Sequence, residues 1–161
     1  MLRLPKSLLS WRKACNDFKL IENGDKICVG ISGGKDSLTL LKALATYQKF
    51  SSEKFQLYAV AVDLSGGKND YSEIVKFCQE LKVNFEIVQS DIFEVVFEIR
   101  KEKNPCSLCA NMRRGILNST AKNLGCNKVA LGHHKDDFLE TFLMSLFYEG
   151  RLSTFKPKSY L

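Results

Sequence analysis

The sequence predicts an α/β protein with a doubly wound parallel sheet of about four to five strands and helices on both faces. Two observations lead to this prediction. Short apolar runs without polar alternation recur along the chain, as expected of parallel strands that are covered on both sides. Segments with apolar residues at helical spacing lie between these runs, and this alternation is typical of the architecture. The predicted strands are KICVGIS (26–32), QLYAVAVD (56–63), NFEIVQ (84–89) and KVALG (128–132).

Apolar side chains three or four residues apart predict a helix between each pair of consecutive strands. A further helix is predicted after the last strand. Asp136 and Asp137 fall in its first turn, where negative charge interacts favourably with the helix dipole. The helices between the strands cover residues 36–49, 70–81 and 107–124.

Length and composition predict one globular domain. The chain has 161 residues, of which 45% are hydrophobic, enough for a sizeable core. We expect the domain to cover residues 21–161, with residues 1–20 forming a separate amphipathic helix packed at its edge. The apolar runs are strand-sized, and Pro5, Ser10 and charges interrupt the N-terminus. We therefore expect a cytoplasmic protein with neither a signal peptide nor a membrane span.

The charge balance favours a phosphate-rich partner. Lys and Arg number 24 against 18 Asp and Glu, which gives a net charge of +6 and a pI near 9.0. A surplus of this sign is common among proteins that bind nucleic acid, although many basic proteins do not.

The string SGGKDS lies where the first predicted strand ends and the next helix begins. Gly33 and Gly34 permit positive φ angles and a close backbone approach, while the amides at the helix start attract phosphate. Lys35 adds a positive charge, and Ser32 and Ser37 add hydroxyl groups. A capped tight turn would explain SGG alone, but not the six-residue string. The string matches neither the GxxxxGK[ST] loop nor the GxGxxG fingerprint.

The segment LGHHKDDFLETFLMSLFYEG (131–150) follows the last predicted strand. A capped apolar helix would explain most of it, but not the two histidines and two acids at its start. This position is the carboxyl end of a strand, where open α/β sheets bind ligands. The carboxylates of Asp136 and Asp137 are hard oxygen ligands that suit Mg²⁺ bridging phosphates.

Cys106 and Cys109 are the cysteines with ligand spacing. They follow Pro105 at the predicted start of a helix, so their sulfurs would share one face. A single CxxC is compatible with half of a zinc site, a redox dithiol or part of an iron–sulfur site. We expect all six cysteines to be reduced, because nothing in the sequence indicates export. The four interpreted as buried small hydrophobes or ordinary surface residues are Cys15, Cys28, Cys78 and Cys126.

The string SGGKDS resembles the pyrophosphate-binding loop of the N-type ATP pyrophosphatases, the PP-loop superfamily. Together with CSLCANMRRGIL (106–117) and LGHHKDDFLETFLMSLFYEGRL (131–152), it makes the chain similar to the bacterial tRNA 2-thiocytidine synthetases from about residue 12 onward. The resemblance implies a Rossmann-like fold of the adenine nucleotide alpha hydrolase type. It also implies that ATP, split into AMP and pyrophosphate, activates the C2 carbonyl of a cytidine in the tRNA anticodon loop, whose oxygen is then replaced by sulfur.

The resemblance also implies roles for individual residues. Lys35, Asp36 and Asp137 are implied in catalysis, and Asp136 and Asp137 in Mg²⁺ binding. Asp63 is implied at the adenosine pocket, although a turn role at the end of a strand explains it nearly as well. The implied ligands of a [4Fe-4S] cluster include Cys106 and Cys109, and the nucleotide-binding residues are Ser32, Gly33, Gly34, Lys35, Asp36, Ser37, Asp63, Gly132 and His133.

The implied partners are tRNA and a cysteine desulfurase that donates sulfur. Members of the family continue beyond the point at which this sequence stops, with a further strand and a third cysteine ligand. We therefore expect an unpaired sheet edge that favours a homodimer. The candidate residues for tRNA phosphates, whose contacts salt would weaken, are Arg12, Lys13, Lys101, Lys103, Arg113, Arg114 and Arg151.

The sequence leaves alternatives open. The nearer one is another adenylating tRNA enzyme, such as lysidine synthetase or a different thiolase, whose AMP release would not depend on the thiol pair. A nucleotide-binding module without catalysis is the second, and a zinc-binding variant of the thiolase is the third.

Overall fold

A computed structural model describes residues 8–99 and 105–156. Its described residues form one sheet of four parallel strands in the order β3-β2-β1-β4. Helices lie on both faces, so the predicted α/β class is confirmed. The predicted tRNA contacts Lys101 and Lys103 lie outside the described residues. The strands are β1 (Lys26–Ile31), β2 (Gln56–Asp63), β3 (Asn84–Gln89) and β4 (Lys128–Ala130).

The helices lie close to their predicted positions, and β4 is shorter than predicted. It ends at Ala130 because the following residues leave the sheet to cross the start of a neighbouring helix. A π-helical segment, Glu94–Ile99, was not predicted. The α-helices are α1 (Leu9–Asp17), α2 (Lys35–Gln48), α3 (Ser72–Leu81), α4 (Pro105–Asn123) and α5 (Lys135–Glu149).

Alternate residues of the central strands point into two separate cores. Val29 packs with α1, α2 and α3 on one face of the sheet, whereas its neighbour Cys28 packs with the π-helical segment and α4 on the other. Along β2, Ala59 and Val60 divide in the same way. Burial of each large aliphatic side chain contributes about 1.5–3 kcal/mol. The central strands are therefore apolar throughout because both of their faces are covered.

A polar network at the amino edge of the sheet fixes the register of the short strand β4. Asp25, which is buried, accepts hydrogen bonds from Lys128 Nζ (2.7 Å) and Asn127 Nδ2 (2.7 Å). Burial raises the pKa of the Asp25 carboxyl, but the bonds from Lys128 and Asn127 outweigh burial and lower it overall. The network holds Lys128 opposite Ile27, and so positions the carboxyl end of β4 beside that of β1.

Helix α5 is apolar but scarcely covered. In the described part of the chain none of its residues is buried. We call seven exposed side chains of this region the α5 apolar face. No described helix is both long enough and apolar enough to cross a membrane. The α5 apolar face consists of Leu139, Leu143, Met144, Leu146, Phe147, Tyr148 and Leu152.

Candidate active site

The loop between β1 and α2 is shaped by two serines. The buried Ser37 hydroxyl donates to the Gly34 carbonyl (2.9 Å) and accepts from both the Ser32 amide (3.2 Å) and the Ser32 hydroxyl (3.1 Å). Ser32 Oγ in turn accepts from the Gly34 amide (3.3 Å). Gly33 has φ +82°, which favours glycine. The loop is therefore held by its own side chains in a conformation that leaves its outer surface exposed.

The amino end of α2 follows the carboxyl end of β1 and, among the described residues, has no side-chain cap. The first turn has no intrahelical acceptors for its amides. Lys35 is exposed at the first helical position, and Asp36 follows half-buried. Unpaired amides, the positive end of a helix dipole and a mobile ammonium group form a site suited to a polyphosphate.

Gly132 brings the second motif against this loop. A Cβ atom at Gly132 would lie 2.7 Å from Ser37 N, 2.8 Å from Ser37 Cα and 2.9 Å from the Asp36 carbonyl carbon. Such distances are shorter than any real Cβ contact, so only glycine fits between β4 and the first turn of α2. The two motifs that are about 100 residues apart in sequence are in direct contact.

The start of α5 holds a reciprocal cap. The His134 amide donates to Asp137 Oδ2 (2.8 Å), and the Asp136 amide donates to His134 Nδ1 (3.2 Å). Asp136 keeps its carboxylate exposed, and Asp137 is half-exposed. Asp137 thus has one oxygen engaged in the cap. The role of His134 in this cap was not predicted.

The donor set of these two acids fits Mg²⁺. No group of three or more His, Cys, Asp or Glu side chains is placed to hold a metal ion within residues 8–99 and 105–156. Mg²⁺ does not require one, because it is commonly held by one or two carboxylates together with substrate phosphates and water. Asp136 and the free oxygen of Asp137 provide such ligands.

His133 is exposed but has an aromatic contact that sequence reasoning missed. Residues 151–156 fold back along α5, with Thr154 Oγ1 donating to the Phe138 carbonyl (3.1 Å). This places the ring of Phe155 5.2 Å from that of His133 and 5.6 Å from that of Phe138. No short-range pattern in the sequence indicates this contact, because the two rings are 22 residues apart.

Asp63 shapes the loop that follows β2. Its side chain is fully buried, and it accepts from Ser65 Oγ (2.7 Å), the Gly67 amide (2.6 Å), Asn69 Nδ2 (3.1 Å) and Tyr71 OH (3.2 Å). Burial raises its pKa, but these hydrogen bonds outweigh burial and lower the pKa to about 2. The geometry favours the turn role. A direct nucleotide contact by Asp63 stays a prediction.

The thiol pair begins α4. Cys106 is exposed and Cys109 is half-buried against the core that α4 shares with the π-helical segment. One turn further on, Arg113 donates from Nη2 to the Ile31 carbonyl (3.4 Å), at the end of β1. Arg113 therefore ties the helix that bears the thiols to the strand that leads into the loop.

The sequence matches the PP-loop domain family over residues 8–156. The chain belongs to the PP-loop family. The match includes the loop, Gly132, the α5 cap and the thiol pair, so all four features lie within the family domain.

Similar PP-loop proteins act on tRNA. The chain is 42% identical over 146 residues to a tRNA-cytidine(32) 2-sulfurtransferase of Alkalilimnicola ehrlichii, covering 90% of this chain and 46% of that protein. It is 44% identical to the Neisseria meningitidis protein of the same name, covering 90% and 46%. The Coxiella burnetii protein of that name is 40% identical, with 97% and 62% covered. The chain spans about half the length of the curated relatives it matches.

A solved structure of a tRNA thiolase has the same fold. The U34-tRNA thiolase NcsA from Methanococcus maripaludis, solved with its [4Fe-4S] cluster, superposes with a TM-score of 0.70 at 30% identity. The similarity covers 88% of this chain and 50% of that one.

The predicted tRNA contacts are spread around this PP-loop domain. Arg12 lies beside Ser52 and Glu53, near the amino edge of the sheet and opposite the loop. Arg151 pairs with Glu149 (2.8 Å). Arg114 is exposed on α4, near the thiol pair.

Replacing Gly132 with alanine is expected to weaken ATP binding at least tenfold, because the new methyl group would displace the first turn of α2. Overpacking of this kind also costs about 1–3 kcal/mol of stability. Isothermal titration with ATP and thermal unfolding would measure the two effects. Gly115→Ala is the matched control, since this helical glycine has open space around it and the change should stabilise α4 by about 0.5–1 kcal/mol. Unchanged ATP affinity in Gly132→Ala would contradict the contact.

The stability of the domain should fall as the pH drops from about 4 to about 2. The Asp63 carboxyl has a folded pKa of about 2, below its unfolded value of about 3.9. Its contribution is therefore complete above the unfolded pKa and is lost as the pH approaches the folded one. Urea unfolding at pH 5, 3 and 2 would show this decline, and Asp63→Asn should flatten it. An equal decline in both proteins would assign it to other carboxyls.

Proposed function

We propose that this PP-loop chain supports ATP-dependent thiolation of tRNA, converting a cytidine of the anticodon loop to 2-thiocytidine. The observation that carries the proposal is the contact of Gly132 with the first turn of α2. It unites the phosphate-binding loop with Asp136 and Asp137, and Arg113 ties the thiol helix to the same edge. The names of the similar proteins support tRNA as the substrate and cytidine as the base.

The residues of the site account for the activation step. In our proposal the C2 oxygen of cytidine attacks the α-phosphorus of ATP, and the bond from that phosphorus to pyrophosphate breaks. The loop amides and Lys35 stabilise charge on the departing pyrophosphate, and Asp36 lies beside them. Asp136 and Asp137 would hold Mg²⁺, which neutralises phosphate charge during the attack. Sulfur at the sulfide level then adds at C2, and AMP leaves with the cytidine oxygen. No protein nucleophile is needed for this exchange.

Cys106 and Cys109 fit part of an iron–sulfur site. Cys106 is exposed, Cys109 is half-buried one turn away, and they would supply two ligands of a [4Fe-4S] cluster. When bound, such a cluster supplies an iron that can hold sulfur close to the activated base. We propose a cysteine desulfurase as the source of that sulfur, which it carries as a persulfide and which two electrons from an added thiol reductant bring to the sulfide level. We also propose the cytoplasm as the compartment in which tRNA is modified. We also propose that residues 21–161 belong to one nucleotide-binding domain with α1 at its edge.

One reaction tests the function. Protein reconstituted anaerobically with iron and sulfide is mixed with Mg-ATP, sulfide and unmodified tRNA. The tRNA is then digested and analysed by mass spectrometry, and AMP is counted in the same sample. We expect 2-thiocytidine to appear together with AMP. AMP formed without any thiolated base would overturn the proposal in favour of another adenylating activity, and nucleotide binding without AMP would indicate a module that does not catalyse.

We also propose that two copies of the chain pair through the α5 apolar face. Its seven side chains are each between 37% and 85% exposed, and a large exposed apolar patch of this kind marks an interaction surface. A stable interface buries about 800 Å² per partner. Phe147→Glu should therefore give monomers in light scattering after gel filtration, whereas Glu140→Gln on the same helix should not. A monomeric wild-type protein at every concentration would contradict self-association.

A further inference from the structure

An exposed aromatic pair lies outside the site described above. Phe93 and Phe97 are one turn apart, with ring centroids separated by 4.9 Å and planes inclined at 33°. Their side chains are 53% and 47% exposed. The opposite side of the same segment supplies the core contacts, through the buried Ile92 and Val96. The two rings therefore lie outside the buried core, pack against each other and remain about half exposed.

The fold places this pair close to the thiols. The π-helical segment packs against α4 on one face of the sheet, and Val96 belongs to the same core as Cys109. Only five residues join Ile99 to Pro105, so these two positions are at most about 20 Å apart. The aromatic pair and the start of the thiol helix thus belong to one side of the molecule.

We propose that Phe93 and Phe97 form a stacking platform for an unpaired base of single-stranded RNA. The proposal rests on the proposed function, because a base that is modified at C2 must leave its stack, and its neighbours then need a new stacking partner. Exposed aromatic rings are the groups on which single-stranded bases stack, whatever the base. The platform would hold a nucleotide adjacent to the reacting cytidine.

The charged residues around the aromatic pair favour a base at the rings and disfavour phosphates there. Glu94 and Glu98 are exposed beside the two rings and would repel phosphates there. Arg114 is exposed on α4, the helix that packs against this segment. An RNA loop is complementary to this arrangement when its backbone lies toward Arg114 and a base covers the rings.

Binding of an anticodon stem-loop RNA at several salt concentrations tests the platform, with a fully paired duplex of equal length for comparison. We expect Phe97→Ser, and Phe93→Ser likewise, to weaken stem-loop binding about tenfold at every salt concentration. Duplex binding and the slope of log K against log salt should not change, because no phosphate contact is lost. Arg114→Ala should instead reduce that slope by about 1. Phe97→Trp should restore affinity, which separates stacking from misfolding.

The outcomes distinguish the platform from the function on which it rests. Normal stem-loop binding by the double variant Phe93→Ser/Phe97→Ser would overturn the platform and leave tRNA thiolation standing. Equal losses for stem-loop and duplex would also overturn it, as would a change of oligomeric state in place of RNA affinity, which would indicate a protein interface. Failure of the wild-type protein to bind the stem-loop or whole tRNA would overturn both proposals.

Discussion

Replacing Lys35 with alanine is expected to abolish pyrophosphate release while leaving the fold intact. Lys35 is exposed at the first position of α2, so its removal costs little packing. It lies beside the unpaired amides that would bind the phosphates. At this position its positive charge would stabilise the negative charge of the departing pyrophosphate. Loss of one such preorganised group typically lowers the rate by about 10²–10³. Pyrophosphate release would be followed with a coupled assay in the presence of Mg-ATP and tRNA.

Lys42→Ala is the matched control for this experiment. Lys42 is exposed on the same helix, about two turns further from the loop, so the change removes the same charge and much the same helix propensity. We expect Lys42→Ala to turn over at the wild-type rate. Retained turnover in Lys35→Ala would show that the loop takes no part in the mechanism of this chain.

The sequence predicted the carboxyl-edge site because its main parts are local. The string SGGKDS spans a strand end and a helix start, and parallel strands place their carboxyl ends along one edge. The contact that unites the site was not predictable in this way. The sequence places Gly132 at the end of the predicted strand 128–132, and only the packing of β4 against β1 brings it to within a methyl group of Ser37.

A second SGGK string, in the loop after β2, shows that a short sequence motif alone does not predict a phosphate site. Residues 65–68 repeat the letters SGGK after β2, but this loop already has an anion. The Ser65 and Gly67 amides donate to the Asp63 carboxylate, and the Lys68 amide donates to Ser65 Oγ. The loop after β1 contains no such internal carboxylate acceptor for its amides among the described residues. Two identical strings therefore differ in their capacity for phosphate because of the residue two positions before each one, Gly30 in one case and Asp63 in the other.

Long-range packing also explains the remaining differences between the predicted and the observed structure. The π-helical segment, the return of Phe155 to His133 and the early end of β4 depend on which surfaces meet in the folded chain. The amphipathic and apolar patterns that locate helices and strands contain no information about such meetings.

Replacing Cys106 with serine is expected to end sulfur transfer while ATP binding and the fold persist. Cys106 is exposed, so the change replaces one sulfur atom without opening a cavity. If the pair holds an iron–sulfur cluster, the variant should also lose the visible absorbance and the bound iron that anaerobic reconstitution provides. ATP affinity, the melting temperature, iron content and 2-thiocytidine would be measured on the same preparation.

Cys126→Ser separates this effect from a general sensitivity to losing a thiol. Cys126 is half-buried outside the site, and burial raises the pKa of its thiol, so it resembles a small hydrophobe more than a ligand. We expect this control to keep both iron and thiolation. If Cys106→Ser instead lowers the melting temperature by several degrees, the pair is structural. If the variant keeps full thiolation without bound iron, sulfur reaches the activated cytidine without these thiols, and the adenylating loop alone defines the contribution of this chain.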